Sequence, residues 1–178
     1  VGFDFTSNFT IRELGGTLDP VNLDCDHLSD TGECKYRVNA SGLDLDNCGP
    51  LAEIPAQISG STVTGGGVGS TFLLNLPIAD NTTLPLTGHN IVWNATITDN
   101  GSSVLTMEGI IGGAIIKQDM IDSIGRLEEG TFGTMSNAQV IYFIENVVPD
   151  DIDLDGDGTY ESASFGFKFM AVLGEIVP

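Results

Sequence analysis

The sequence predicts a mainly β protein: an immunoglobulin-like β-sandwich with one short helix over about residues 117–129. Period-two alternation of apolar and polar residues recurs along the chain, the mark of strands with one buried face. Gly, Pro, Asn and Asp cut these runs at short intervals. Apolar residues at helical spacing are read only over 117–129.

Residues 1–14 alternate apolar Phe3, Phe5, Phe9 and Ile11 with polar Asp4, Thr6, Asn8, Thr10 and Arg12; Ser7 alone breaks the apolar side. This strand has no hairpin neighbour in sequence, so its partner is distant, in its own chain or in another molecule. Gly15-Gly16 reads as a hinge dividing the strand from a sandwich domain over 15–178. Residues 15–30 are turn-rich and acidic, and 35–45 read as a strand through Tyr36, Val38 and Ala40. A loop over 47–55 holds Pro50 and Pro55, and 58–70 is Gly- and Thr-rich around Gly65-Gly66-Gly67.

Strands follow at 71–78 and 90–98, where Trp93, flanked by Ile91 and Ala95, faces the core. Asp99-Asn100-Gly101-Ser102 is a hairpin turn, across which 104–116 pairs back with a bend or bulge at Gly112-Gly113. In the helix, Met120, Ile121, Ile124 and Leu127 share a face and Gly130 ends it. Residues 137–148, rich in Val, Ile, Tyr and Phe, read as another strand. After an acidic loop over 150–161, the last strand, 162–177, carries Ala163, Phe165, Phe167, Phe169, Ala171 and Leu173 on one face. All the cysteines precede Trp93, so the Cys–Trp–Cys pattern of antibody domains is absent.

The 178 residues suit one domain with its own core. Six Lys and Arg stand against 25 Asp and Glu, a formal net charge of -19. That sign excludes nucleic-acid binding and opposes an anionic membrane surface. No 18-residue apolar run is present, so no membrane insertion by a helix is expected. The chain opens at Val1 without Met, read as a processed N-terminus or a trimmed one.

Of Cys25, Cys34 and Cys48, the first two flank a turn-rich segment and could close a small loop; Cys48 could instead pair with either. One disulfide points to an oxidising, extracellular compartment. Sequons at Asn8, Asn39, Asn81, Asn94 and Asn100 exceed what composition alone would give and point to a secreted glycoprotein.

The chemistry is concentrated in Asp153-Leu154-Asp155-Gly156-Asp157-Gly158-Thr159-Tyr160-Glu161. Alternating carboxylates on a tight loop converge on one point, Gly158 lets the backbone turn, and Glu161 closes the ring. Calcium takes six to eight hard oxygens in flexible geometry, and Asp153, Asp155, Asp157, Thr159 and Glu161 supply most of them. An EF-hand register from Asp151 would put Ser162 at the twelfth position, where a bidentate Glu belongs. The motif resembles the Asp-rich calcium loops of thrombospondin type 3 repeats and of bacterial surface proteins, which implies a structural ion. A second acidic group, Asp24, Asp26, Asp30 and Glu33, fits no such spacing and reads as a solvated face.

Enzyme signatures are absent. His27 and His89 belong to no catalytic arrangement, and Gly65 to Gly69 lack the Lys and helix of a P-loop. With its detached N-terminal segment, incomplete sandwich and many turns, the layout resembles protomers of bacterial pilus-like extracellular fibres assembled by donor-strand exchange. The resemblance implies copies of the chain joined in a helical fibre at the cell surface, with Phe3, Phe5, Phe9 and Ile11 anchoring in a neighbour's groove. The sequence departs from several pilin classes. Residues 174–178 lack a tyrosine-bearing terminal motif, no long apolar N-terminal helix is present, and no lipobox Cys starts the chain. The alternative is a calcium-stabilised secreted or cell-surface domain, an adhesin or carbohydrate binder, that folds as a monomer.

Overall fold

The computed structural model describes residues 6–21, 34–38, 40–44, 46, 48–79, 82–99, 105–172 and 174–177. The protein is mainly β, as the alternation predicts. Its strands are β1 (Thr6–Glu13), β2 (Gly16–Leu18), β3 (Lys35–Val38), β4 (Ala52–Ser59), β5 (Thr62–Gly66), β6 (Thr71–Ala79), β7 (Thr82–Asp99), β8 (Leu105–Ile116), β9 (Ser162–Val172) and β10 (Glu175–Val177). Two helices, α1 (Lys117–Gly125) and α2 (Asn137–Val147), interrupt them. A seven-stranded sheet runs β1-β4-β5-β7-β8-β9, with β6 also on β7, and β10-β3-β2 form a three-stranded sheet. The β1–β4–β5–β7 and β6–β7 pairs are antiparallel, as in a sandwich-like fold, whereas β10 runs parallel to β3. The chain divides into two compact units, 1–66 with 92–111 and 167–178, and 67–91 with 112–166.

In the first unit β1 lies antiparallel on β4, from Thr6 opposite Ser59 to Glu13 opposite Ala52. β5 pairs with the other side of β4 only from Ala56 to Ser59. Residues 52–55 therefore have β1 as their only strand partner among the described residues. Ala52, Ile54 and Ala56 alternate inward and are buried, and Val63 and Ala95 join them. Trp93, half-buried on β7 between the buried Ile91 and Ala95, meets Phe169 edge-on with ring centroids 4.7 Å apart. β4 contains Pro55, opposite Thr10, in a stretch read from sequence as loop. The β4–β5 pairing ends one residue short of this proline, which has no N–H to give.

Gly15-Gly16 does a different job from the hinge inferred from sequence. The Gly15 N–H donates to Gly42 O at 3.0 Å. A Cβ on Gly15 would stand 2.7 Å from Gly42 Cα, and one on Gly16 2.7 Å from Arg37 O. Only glycine permits this backbone approach, so the segment is a packed crossing that anchors the start of β2. The predicted strand over 35–45 is likewise shorter, because a 3-10 turn at Ala40–Gly42 delivers Gly42 to that crossing.

In the second unit β6 and the first half of β7 form a hairpin, Thr71 opposite His89 through Leu76 opposite Leu84. Leu74, Leu84, Leu86, Ile115, Ile124 and Ile144 make the core, with Met120 and Ile121 of α1 packed against it as the helical spacing predicts; α1 ends at Gly125, short of the expected stop at Gly130, so Leu127 reaches the core from the turn beyond it. The segment 137–148 corrects the sequence reading: it is helix α2, where a strand was expected. Its unbroken apolar run carries no period, so β-branched content misled. The capping signal was present in Ser136-x-x-Gln139. Ser136 Oγ accepts from Gln139 N at 3.2 Å, and Gln139 Oε1 accepts from Ser136 N at 2.9 Å. Val140, Ile141, Ile144 and Val148 then face the core. The last predicted strand is two strands, β9 and β10. The turn at 99–102 lies, beyond Asp99, outside the described residues.

Replacing Ser136 with Ala removes this cap and is expected to destabilise the fold by about 1 kcal/mol. Urea denaturation measures it, and Ser136→Asp should restore most of the loss. Equal stability of all three chains would show the cap carries no load.

Candidate metal centre

The loop between α2 and β9 is closed at its neck by hydrogen bonds of the chain itself. Ser162 O accepts from both Asp151 N and Ile152 N at 3.0 Å, and Ser162 N donates to Ile152 O at 3.2 Å. Ser162 is buried. Asp151 adds a clamp: its Oδ1 accepts from Ser164 N at 2.7 Å and its Oδ2 from Ser164 Oγ at 2.6 Å. These bonds, the hydroxyl first and the amide second, hold the Asp151 carboxyl below the usual aspartate range. Lys117 Nζ ties in the approach from α2, donating to Asp150 Oδ2 at 3.0 Å and to Glu145 O at 3.2 Å.

Inside the neck the backbone curls around its own carboxylates. Asp153 accepts from Gly156 N at 2.7 Å through Oδ1 and from Gly158 N at 2.9 Å through Oδ2. Glu161 Oε1 reaches back to Leu154 N at 2.9 Å. Asp155 Oδ1 accepts from Asp157 N at 3.0 Å, and Asp157 Oδ1 from Thr159 N at 2.7 Å. Gly156 and Gly158 stand at φ 78 and 92, in the left-handed region that the Asp-Gly repeats supply.

The result is a cluster. Carboxylate oxygens of Asp153, Asp155 and Glu161 lie within 4.8 Å of one another, and this set could hold a metal ion. Three like charges so close repel, and a divalent cation is the simplest means of offsetting that. Asp157 and Thr159, also expected as ligands, are exposed, and Asp157 commits one oxygen to the Thr159 amide. Sequence reasoning missed Asp151, Ser162 and Ser164, which form the neck; the Ser-x-Ser after the loop was the only signal.

The other predicted residues are scattered. Phe9 and Ile11 sit on β1 opposite Ala56 and Ile54, with Phe9 40% exposed; Phe3 and Phe5 lie outside the described residues. Asn8 and Asn94 are exposed on β1 and β7, as a glycan requires, and Asn39, Asn81 and Asn100 lie outside the described residues. Cys34 is buried and disulfide-bonded, Cys48 is an exposed free thiol, and Cys25 lies outside the described residues. So do His27 and the acidic group of Asp24, Asp26, Asp30 and Glu33. His89 is half-buried in β7. Among the described residues no helix is long and apolar enough to cross a membrane. Compared with known proteins, the chain matches no protein family, no curated protein and no solved structure.

The Asp151 clamp makes a signed prediction. A carboxyl depressed in the folded state contributes stability that is present above its unfolded pKa and is lost as pH falls through the folded one. The melting-temperature gap between the wild type and Asp151→Asn should therefore be full near neutral pH and shrink below the ordinary aspartate range. A gap constant from neutral to strongly acidic pH would show that the Asp151 charge does not matter.

Proposed function

We propose that the protein is a structural subunit of an extracellular fibre, joined to its neighbours by exchange of β1, and that calcium on the 153–161 loop braces it. The single observation that carries this is the asymmetry of the β1–β4 ladder. Residues 52–55 of β4, with Ile54 1% exposed, rely on β1 as their strand partner, while β1 itself is poorly buried. Its residues 7–10 and 12 are exposed, and the salt bridge from Arg12 Nε to Glu53 Oε1 at 3.0 Å is solvated and worth little. A strand held mainly through its backbone ladder, with few buried side chains, is one that an identical strand of another copy can replace. A second copy can supply an identical strand with the same register, so exchange conserves every contact made. An offset from copy to copy then propagates as a fibre.

In this reading calcium is bound by Asp153, Asp155 and Glu161, with Asp157 and Thr159 as further oxygen donors, and its role is structural. The oxygen-only donor set and its excess negative charge favour a hard cation. The acidic surface, the disulfide at Cys34 and the exposed sequons Asn8 and Asn94 suit an extracellular setting. A second reading has an observation of its own: within one chain β1 already lies on β4. A self-complete, calcium-braced surface domain that binds a ligand such as carbohydrate would look the same.

Two measurements decide between and within these readings. Asn8 and Gln57 are directly opposed. In a Cys48→Ser background, Asn8→Cys with Gln57→Cys should form disulfides between chains under assembly conditions, giving a ladder of multimers on a non-reducing gel. Linkage confined to single chains supports the self-complete domain instead. Saturating calcium should stabilise the protein by about 3–4 kcal/mol, the linkage expected at roughly 100- to 1,000-fold excess over Kd. Asp153→Asn with Glu161→Gln should abolish the gain; the calcium assignment fails if EDTA leaves the melting temperature of the wild type unchanged.

A further inference from the structure

The inner face of the first unit's large sheet ends in an open apolar groove. Register rows define that face. Phe9, Ala56, Gly65 and Trp93 lie in one row, and Ser7, Ile58, Val63 and Ala95 in the next. Ile97 follows two residues on, its N–H donating to Ser61 O at 2.8 Å. On β8, Gly109 lies against Ala95, where an added Cβ would stand 2.6 Å from Ala95 Cα. β7 ends at Asp99 and β8 starts at Leu105, too soon for a parallel crossover. β8 therefore runs back antiparallel, and Met107 and Leu105 lie at the same end of the sheet as Ile97. Ile97, Leu105, Thr106, Met107, Ala171 and Val172 line a cavity of about 230 Å³, and all six are only half-buried. An apolar cavity of roughly 150 Å³ already takes a benzene ring, so this one has room for one aromatic side chain.

The same end of the sheet is where β1 begins. Thr6, Ser59, Thr62 and Thr96 form the last complete row. β4 stops at Ser59 and the chain turns at Gly60, which stands at φ 59, so the β1–β4 ladder cannot continue to position 5. Thr6 and Thr96 are three strand spacings apart, roughly 14 Å. Three residues of extended chain cover about 10 Å, and an aromatic side chain bridges the remaining few ångströms. Phe3 has that reach; Phe5, one residue from the ladder, does not. The chain that flanks the groove at 100–104 is Asn-Gly-Ser-Ser-Val, too polar to fill it.

We infer that this groove seats the Phe3 ring of the segment leading into whichever β1 lies on the same β4. That holds for a β1 of the same copy or of a neighbour, so the inference does not rest on strand exchange. The seat gives β1 a hold that its exposed residues lack. Burying one aromatic ring outweighs a solvated ion pair such as Arg12 with Glu53. It also divides the work of the N-terminal aromatics: Phe9 lies beside β4, opposite Ala56, and Phe3 serves β7, β8 and β9.

Thiol protection in the full chain tests this. In a Cys48→Ser background, Met107→Cys places a thiol in the groove, and Ile110→Cys places one on the outer face of the same strand, where Ile110 is 58% exposed. A maleimide should label Met107→Cys slowly while Phe3 is present. Adding Phe3→Ser should speed that labelling about tenfold, a ratio that docking of one aromatic ring supports, and leave Ile110→Cys unchanged. Leu105→Cys is a second groove thiol should Met107→Cys disturb the fold, which circular dichroism checks. A photoreactive para-azidophenylalanine at position 3, little larger than Phe, should cross-link on irradiation to 97, 105–107 or 171–172. In a mixture of isotope-labelled and unlabelled chains, a cross-link within one chain marks a β1 of the same copy and one between chains an exchanged β1; either supports the inference. Labelling of both groove thiols that Phe3→Ser leaves unchanged overturns it. So does equal acceleration at Ile110→Cys, or a cross-link from position 3 that maps elsewhere.

Discussion

The antiparallel ladder between β1 and β4 is the constraint on which the first unit depends. β4 contributes the buried Ala52, Ile54 and Ala56, but β5 flanks only its last four residues. The rest of β4 needs β1 to satisfy one row of backbone groups. What β1 receives in return is small, since its outward residues are solvated and Phe9 is only partly covered. The ladder is shared by both strands: β4 brings a buried face, and β1 brings backbone partners with few buried side chains. Such an arrangement is indifferent to which copy provides the strand. The firm point lies just beyond it, where Gly15 and Gly42 meet backbone to backbone.

The acidic loop follows a related logic. Its neck is built from the chain's own hydrogen bonds through Ile152, Ser162, Asp151 and Ser164. Its interior gathers Asp153, Asp155 and Glu161 by bonding their oxygens to backbone amides, so the donors stand together before any ion arrives. If this cluster holds an ion as proposed, such prior ordering loses less entropy on binding than a floppy acidic loop would. Because the same residues lead into β9, holding the loop also holds the start of that strand.

Much of this was legible in the sequence because the signals were local. Apolar patterning marked β6 and β8 nearly to their ends and the start of β9, and the spacing of Met120, Ile121 and Ile124 marked α1, while the ends at Val172 and Gly125 were not read. The aspartate spacing located the cluster, although not the clamp from Asp151 to Ser164, which depends on pairing across the neck. Failures came where local pattern was ambiguous or tertiary context ruled. Val140 to Ile144 is an unbroken apolar run, so its content of β formers outweighed the capping residues Ser136 and Gln139 that made it a helix. Pro55 argued for a loop, yet β4 tolerates it where β5 pairing has stopped. Gly15-Gly16 signalled freedom, whereas the space it creates is filled by Gly42.

Electron cryomicroscopy of the assembled material tests the central claim most directly, by tracing the strand that lies on β4. Exchange predicts that density for Thr6–Glu13 on each β4 connects to the body of a neighbouring copy, repeating along a helical axis. Density on β4 that connects through Leu14 to Gly15 of the same copy throughout the assembly would contradict it.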